Sequence, residues 1–293
     1  MTYQQQYAAY LSAANQALEA CAQQYLPEES RVCQAARYSL LGGGKRVRAV
    51  LVMAVCDMLG GDSNAAARFA AAVEMLHCYS LIHDDLPCME NDDMRRGRPS
   101  CHKAFDETIA LLAGDVLQTE AFEVIGDTAA DPQIVARAAL ALAHGAGSCG
   151  MVWGQELDLK YETITASEDQ LRQIHRGKTG ALINAAVQMG AAAALAQPEL
   201  CAALEQYAQD LGLVFQIVDD VLDVTSTAEE LGKPIGSDAA NGKTTFVTLY
   251  GVPGAMELAE GINRANCGRM QQQFGDKAWF LIELASQLLG RRS

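Results

Sequence analysis

Alanine and leucine, mixed with glutamine and glutamate, fill most of the long stretches of this chain. These residues lose little conformational freedom when they enter a helix. Half of the 293 residues are hydrophobic but only 6% are aromatic, and the strict alternation typical of half-buried strands is scarce. The sequence therefore predicts an all-α fold.

Glycine and proline divide the chain into predicted helices. The C-terminal part is predicted to be helical with breaks at Gly268 and Gly275, and residues 225–245 are interpreted as a functional loop. No change in composition marks a boundary, so we expect a single domain over residues 1–293. The other predicted helices cover residues 3–26, a run that ends at Leu41, and residues 47–58, 65–85, 104–128, 132–150, 168–196 and 198–224.

The charge balance limits the partners that the chain can bind. With 36 acidic and 22 basic residues, the net charge is −14, and such a surface repels nucleic acid. Nine cysteines occur without a CxxC pair, so we predict neither a zinc site nor a disulfide framework. The N-terminus has no signal-peptide pattern, and no stretch reaches the roughly 20 apolar residues of a spanning helix. We expect a soluble, cytoplasmic protein without a membrane span.

Two pairs of adjacent aspartates come at the ends of long apolar helices. The first pair is Asp84-Asp85, and the second is Asp219-Asp220, followed by Asp223. Acidic residues most often belong to a solvated face. Near a helix C-terminus, however, the helix dipole disfavours each carboxylate by roughly 0.3–1 kcal/mol, and Asp219 and Asp223 repel each other on one face. Carboxylates that are kept at these positions despite the unfavourable helix dipole and their mutual repulsion indicate a bound cation.

The ligand type favours magnesium, because the two clusters offer carboxylate oxygens without thiolate or imidazole partners in register. Two carboxylate walls facing each other would hold several magnesium ions on one diphosphate, which would neutralise it as a leaving group.

Basic residues complement the acidic clusters, and most of them lie next to glycine, where the backbone can approach a phosphate closely. Any one of them alone could be an ordinary surface cation. The Gly-Lys-Thr segments at Gly177 and Gly242 suggest a P-loop, but the earlier glycine of that motif is replaced by Arg172 and Ser237, so a P-loop nucleotidase is excluded. The basic residues in question are Lys45, Arg48, Arg95, Arg96, Lys178, Lys233 and Lys243.

Six motifs occur in one order along the chain: GGKRVR at 43–48, SLIHDDLP at 80–87, DDMRRG at 92–97, KTGALI at 178–183, FQIVDDVLD at 215–223 and LGK at 231–233. With them the chain resembles the short-chain trans prenyl diphosphate synthases, and most closely the bacterial farnesyl diphosphate synthases, over about residues 20 to 250. The resemblance implies an all-α bundle around a deep central cavity, and a homodimer.

The resemblance also implies the reaction and the residues that serve it. An allylic diphosphate ionises, the double bond of isopentenyl diphosphate attacks, and a proton is lost to a base such as the released diphosphate. Lys178, Thr179 and Gln216 would be catalytic, the last two as oxygen dipoles near the cation in a dry site. Three magnesium ions, replaceable by manganese, would be held by Asp84, Asp85, Glu90, Asp219, Asp220 and Asp223.

The same resemblance assigns the basic residues to two substrates. The allylic diphosphate would be held by Arg95, Lys178, Gln216, Lys233 and Lys243. Isopentenyl diphosphate would be bound by Gly44, Lys45, Arg48, His77 and Arg96; without the resemblance, His77 is an ordinary core histidine.

One position departs from the family pattern, since Glu90 stands where aspartate is usual. Its longer side chain shifts the carboxylate, and Asp92 or Asp93 could take its place.

The product depends on the depth of the apolar well below the first aspartates. Tyr79 lies about 7.5 Å along the helix from Asp84, and a ring there, beside the small Ser80, would close the well after fifteen carbons. We therefore expect mainly farnesyl diphosphate. The alternatives are a geranylgeranyl diphosphate synthase, a terpene cyclase, which typically carries an Asn/Ser/Glu motif on the second wall, and an inactive subunit of a larger synthase.

Overall fold

The computed structural model describes residues 1–162, 164–225 and 243–291. Within these ranges nearly all regular structure is helical, which confirms the predicted all-α fold. Lys233 and most of the loop predicted at 225–245 lie outside the described residues.

The regular elements begin and end as follows: α1 Tyr3–Tyr25, α2 Arg31–Leu40, α3 Val47–Leu59, α4 Ser63–Asp84, β1 Met94–Arg95, β2 Arg98–Pro99, α5 Cys101–Ala104, α6 Glu107–Gly126, α7 Pro132–Ala146, α8 Met151–Tyr161, α9 Glu168–His175, a π-helical segment Arg176–Gly180, α10 Ala181–Ala193, α11 Pro198–Thr225, α12 Phe246–Phe274, a 3₁₀ turn Gly275–Ala278 and α13 Trp279–Leu289.

The helix boundaries differ from the sequence prediction in three places. The helix predicted at 168–196 is interrupted by the π-helical segment, which contains Gly177 and Gly180. The break predicted at Gly268 is wrong, because this glycine lies inside α12; the backbone instead leaves the helical conformation at Gly251, with φ 66°, shortly before Pro253. Helix α8 was not predicted at all.

Clustering of the contacts divides the chain into two compact units. Unit 1 comprises Met1–Leu142 and Met189–Ala196, and unit 2 comprises Ala143–Gln188 and Gln197–Ser293. The single domain over residues 1–293 stays a prediction.

The core of unit 1 forms around α4, whose buried residues are largely small, including Ala65, Ala66, Ala70, Ala71 and Ala72. Small side chains let the neighbouring helices approach closely, so that α4 packs against α1, α3 and α6. This packing fixes the C-terminal end of α4, where the first acidic pair lies.

The core of unit 2 forms between α11 and α12. Val214, Ile217, Val218 and Phe246 belong to one buried apolar cluster there. The second acidic cluster belongs to this packed part of α11.

Among the described residues, one stretch, Pro132–Tyr161, is long and apolar enough to cross a membrane, and 39% of its most apolar window is buried. It corresponds to two helices, α7 and α8. A single candidate of this kind is weak evidence, because core helices of soluble proteins meet the same criterion.

Candidate active site

The first acidic cluster lies where α4 ends. Asp84 is the last residue of α4 and is half-buried, whereas Asp85 is buried. The chain then turns back, and the backbone N–H of Glu90 donates to the carbonyl of Asp84 over 2.9 Å. This turn explains how Glu90, an exposed residue, comes close to the aspartate pair.

Arg95 holds the buried carboxylate of Asp85. The Arg95 Nε donates to Asp85 Oδ1 over 2.9 Å, and the same guanidinium also reaches Asp92 at 3.3 Å. Burial raises the pKa of Asp85, and Arg95 offsets part of this rise. Asp92 thus pairs with Arg95, and Asp93 pairs with Lys103 at 2.9 Å.

A tight hairpin places Arg96. It lies between β1 and β2, where Arg96 and Gly97 both have positive φ, 53° and 72°, as in a two-residue turn of type I′. The Arg96 guanidinium donates to the carbonyl of Gly43. A Cβ atom on Gly44 would lie 3.0 Å from Arg96 Cζ, so glycine at this position leaves room for the guanidinium.

The charges of several arginines act on His77, a half-buried residue of α4. Burial first, and then the charges of Arg48, Arg96, Arg46 and Arg95, lower the pKa of His77 well below its usual value. The imidazole is therefore neutral at physiological pH, in a region of local positive charge within an acidic protein.

Glu74 pairs with one of these arginines. Its Oε2 lies 3.2 Å from Arg46 Nη1, and both side chains are buried. The backbone N–H of Ala49 donates to Glu74 Oε1 over 3.2 Å. Lys45 is exposed, and its carbonyl accepts from Tyr7 Oη at 2.6 Å.

The two residues expected to set chain length lie on the same helix. Tyr79 is 6% exposed, and its ring stands edge-on to that of His83 with centroids 5.6 Å apart. His83 Nε2 lies 2.9 Å from the carbonyl oxygen of Leu111 in α6, which ties α4 to α6. The hydroxyl of Ser80 donates to the carbonyl of His77 over 2.9 Å.

In unit 2, a close helix crossing positions Lys178 and Thr179. A Cβ atom on Gly154 of α8 would lie only 1.9 Å from the backbone nitrogen of Lys178, and one on Gly212 of α11 would lie 2.9 Å from the Cα of Gly180. Glycine at these positions therefore lets both helices pack directly against the π-helical segment.

Two lysines meet at one carboxylate beside this crossing. Asp158 Oδ2 lies 2.6 Å from Lys178 Nζ and 3.6 Å from Lys243 Nζ. Lys243 also lies 3.2 Å from Glu162. Burial alone would raise the pKa of Asp158, but the charges of the two lysines outweigh it and lower that pKa.

A chain of hydrogen bonds runs from Thr179 to Asp219. The Thr179 hydroxyl donates to Gln216 Oε1 over 3.0 Å, and Gln216 Nε2 donates to Asp219 Oδ2 over 3.1 Å. Arg291 forms an ion pair with the other oxygen of Asp219, and its guanidinium carbon lies 3.9 Å from the ring centroid of Phe215.

Asp220 accepts a hydrogen bond from the N-terminus of α12. The backbone N–H of Phe246 donates to Asp220 Oδ2 over 2.8 Å, and Thr245 caps the helix through a capping box with Thr248. A helix N-terminus favours a nearby negative charge. Asp220 and Asp223 are both buried, with 8% and 2% exposure.

In the described part of the chain, no three histidine, cysteine, aspartate or glutamate side chains converge closely enough to hold a metal ion by themselves. Magnesium usually keeps several waters and takes substrate phosphates as further ligands, so few protein ligands at one point are compatible with it.

Sequence reasoning missed Asp158, Glu74, Arg46 and Arg291 as partners of the expected site residues. Asp158 carried one usable signal, a carboxylate between two leucines in α8. The contacts of Glu74 and Arg291 join residues far apart in the chain, and no local pattern indicates them.

The chain was compared with known proteins. The sequence profile of the polyprenyl synthetase family matches residues 29–278. Geranylgeranyl pyrophosphate synthase 3 from Arabidopsis thaliana, a chloroplast protein, is 43% identical over 92% of this chain and 76% of its own length. Farnesyl diphosphate synthase from Micrococcus luteus is 43% identical over 82% of each chain.

Solved structures agree with this match. The geranyltransferase from Helicobacter pylori, complexed with magnesium and isoprenyl diphosphate, is 31% identical and superimposes with a TM-score of 0.86 over 98% of both chains. The family profile covers most of the sequence, and the match extends over 76% and 82% of the lengths of the two named relatives. The chain belongs to the polyprenyl synthetase family of prenyl diphosphate synthases.

Proposed function

We propose that the protein condenses isopentenyl diphosphate with dimethylallyl or geranyl diphosphate, and that its main product is farnesyl diphosphate. The observation that carries the proposal is a pocket in unit 1 that is lined by Arg95, Arg96 and Arg98 together with Asp85, in a chain of net charge −14. Positive charge gathered in this way favours a small, highly charged anion.

The isopentenyl diphosphate site is proposed around His77, in unit 1. Arg48 and Arg96 would bind its phosphates, while Lys45 would approach from the solvent side and Gly44 would leave room for Arg96. The neutral imidazole can accept or donate a hydrogen bond without adding charge. Glu74 holds Arg46 and thereby stabilises the loop that carries Lys45.

The family resemblance is the basis for proposing Lys178 and Lys243 of unit 2 and Arg95 of unit 1 as ligands of the allylic diphosphate, with Lys233 as a further ligand outside the described residues. Each of the first three side chains is held by a carboxylate, Asp158 or Asp85, before substrate arrives. Thr179 and Gln216 present oxygen dipoles that stabilise positive charge on the allylic carbon without acting as nucleophiles.

The residues of both acidic clusters fit magnesium, because they offer only carboxylate oxygens. Their carboxylates already attract positive groups, since Arg95 pairs with Asp85 and Arg291 pairs with Asp219. When bound, magnesium would neutralise the diphosphate and make it a better leaving group. Its proposed ligands are Asp84, Asp85, Glu90, Asp219, Asp220 and Asp223, for about three ions by analogy with the family.

The fifteen-carbon product is proposed from the position of Tyr79. Its buried ring stands edge-on to that of His83 on α4, and we propose that it stops a longer prenyl chain. A geranylgeranyl product is the second candidate, because the Arabidopsis relative is named for it.

The test is an incubation of the purified protein with isopentenyl diphosphate and each allylic diphosphate, in magnesium and in manganese, followed by chromatography of the dephosphorylated prenols. Farnesol as the main prenol supports the proposal. Geranylgeraniol would keep the reaction but contradict the proposed floor at Tyr79. Cyclic hydrocarbon would indicate a terpene cyclase, and no product would indicate an inactive subunit.

The homodimer and the cytoplasmic location remain predictions. Light scattering of the purified protein tests the first, and fractionation of the source cell tests the second.

A further inference from the structure

His175 lies beside the proposed catalytic residues. It is the last residue of α9, immediately before the π-helical segment that carries Lys178 and Thr179. Its ring stacks on Phe246 at 5.6 Å between centroids and 26° between planes. The backbone of Phe246 in turn holds Asp220. The imidazole is thus fixed to the same rigid elements that place Thr179 and the second acidic cluster.

The ring is neutral and its Nε2 is available. Burial lowers the pKa of His175 to about 4, although Asp158 and the side chain of Gln216 favour the protonated form. Nε2 is inaccessible to water and, within the described residues, has no hydrogen-bond partner. A buried nitrogen without a hydrogen bond costs stability, and its presence in a folded protein therefore calls for an explanation.

Gln216 is next to this imidazole, since a hydrogen bond from its side chain is among the interactions that act on His175. Its amide is held on the oxygen side by Thr179 and on the nitrogen side by Asp219. Asp219 also takes Arg291 and is a proposed metal ligand. A change of partner at Asp219 would leave the amide free to turn, and a turned amide would present N–H groups where an oxygen dipole is required.

We propose that His175 is a positioning residue, whose imidazole nitrogen holds the Gln216 amide with its oxygen on the side of Thr179 while Asp219 engages other partners. This inference rests on the proposed function, which makes the Thr179 and Gln216 oxygens the dipoles that stabilise the allylic cation. A neutral imidazole suits the role, because a charged one would repel that cation.

Two variants of His175 test the role of its imidazole nitrogens separately from that of its aromatic ring. His175→Phe keeps an aromatic ring against Phe246 and removes both nitrogens, whereas His175→Gln loses the ring and restores an amide near the position of Nε2. The proposal predicts that kcat falls by about 30-fold in His175→Phe, with both KM values within about 2-fold, because a dipole is lost in the transition state. In His175→Gln, kcat should recover to within about 5-fold of the wild type. Full activity in His175→Phe together with a loss in His175→Gln would overturn the proposal, because the ring alone would then matter.

A second readout does not depend on turnover. In ¹⁵N spectra of the protein with magnesium and inorganic diphosphate added, Gln216→Leu should shift the His175 imidazole nitrogens, whereas Gln206→Leu, an exposed change elsewhere on α11, should leave them unchanged. Unchanged His175 signals in Gln216→Leu would overturn the contact. If the wild type makes no prenyl product, the proposed function fails, and the spectra still decide whether His175 and Gln216 interact.

Discussion

Lys178 Nζ lies 2.6 Å from Asp158 Oδ2, and both side chains are largely buried, at 26% and 18% exposure. Lys243 shares the same carboxylate at 3.6 Å. One acidic side chain therefore holds two lysines whose charges would otherwise repel each other. The lysines are kept in place before a diphosphate binds, and this preorganisation is the main contribution of Asp158.

Asp158→Asn should lower kcat/KM for the allylic diphosphate by about 10- to 100-fold, because the two lysines lose their common counter-charge and their positions. Asp210→Asn is the matched control, since Asp210 pairs with Arg269 elsewhere in unit 2. Steady-state kinetics on both variants check this. Equal losses in the two variants, or none in Asp158→Asn, would contradict the role of Asp158.

Gly154→Ala should destabilise the protein by about 3 kcal/mol and abolish most activity, because the new methyl group would collide with the backbone of Lys178. Gly268→Ala, where nothing lies within 4 Å in α12, should instead stabilise by about 0.5–1 kcal/mol. Denaturant titration measures both values. A harmless Gly154→Ala would show that α8 does not pack this closely in solution.

Tyr79→Ala should lengthen the main product beyond fifteen carbons, because it removes the ring that is proposed to end the apolar well. Tyr79→Phe keeps the ring and should leave the product unchanged. Chromatography of the prenols reports both results. Identical products from wild type and Tyr79→Ala would show that another residue limits the chain.

The stability of the protein should depend on pH through His77. Its pKa is lowered in the folded state, so between that value and about 6.5 the unfolded chain binds a proton that the folded protein does not. Stability therefore decreases as the pH falls below about 6.5, by at most about 1.4 kcal/mol per pH unit for this one group. His77→Asn should lack this component, so its unfolding free energy relative to the wild type should rise as the pH falls from 7 to 5. A difference that is independent of pH would contradict a lowered pKa of His77 in the folded protein.

Thr245→Ala should lower the unfolding free energy by about 1 kcal/mol, because Thr245 caps α12. The loss should also weaken manganese binding, measured by electron paramagnetic resonance, since the start of this helix holds Asp220. Thr245→Ser keeps the hydroxyl and serves as the control. If Thr245→Ala were destabilised but still bound manganese with wild-type affinity, the helix cap would not support the proposed metal site.

The sequence predicted the helical class and most helix ends because proline and glycine interrupt a chain that otherwise favours helix, as at Pro27 after α1. It missed the π-helical segment, since Gly177 and Gly180 are needed there for contacts with α8 and α11 that no local pattern reveals. The acidic pairs and glycine-flanked cations could be recognised from their motifs. Their partners Asp158, Glu74 and Arg291 could not, because those pairings depend on tertiary packing.

The most direct test of the central proposal is the incorporation of labelled isopentenyl diphosphate into acid-labile allylic products, with geranyl diphosphate as co-substrate. The wild type should incorporate label in magnesium and lose nearly all incorporation in excess chelator, and Lys178→Ala should be strongly impaired in magnesium. Incorporation that is equal with and without the metal, or its absence under both conditions, would contradict a magnesium-dependent prenyl transfer by this chain.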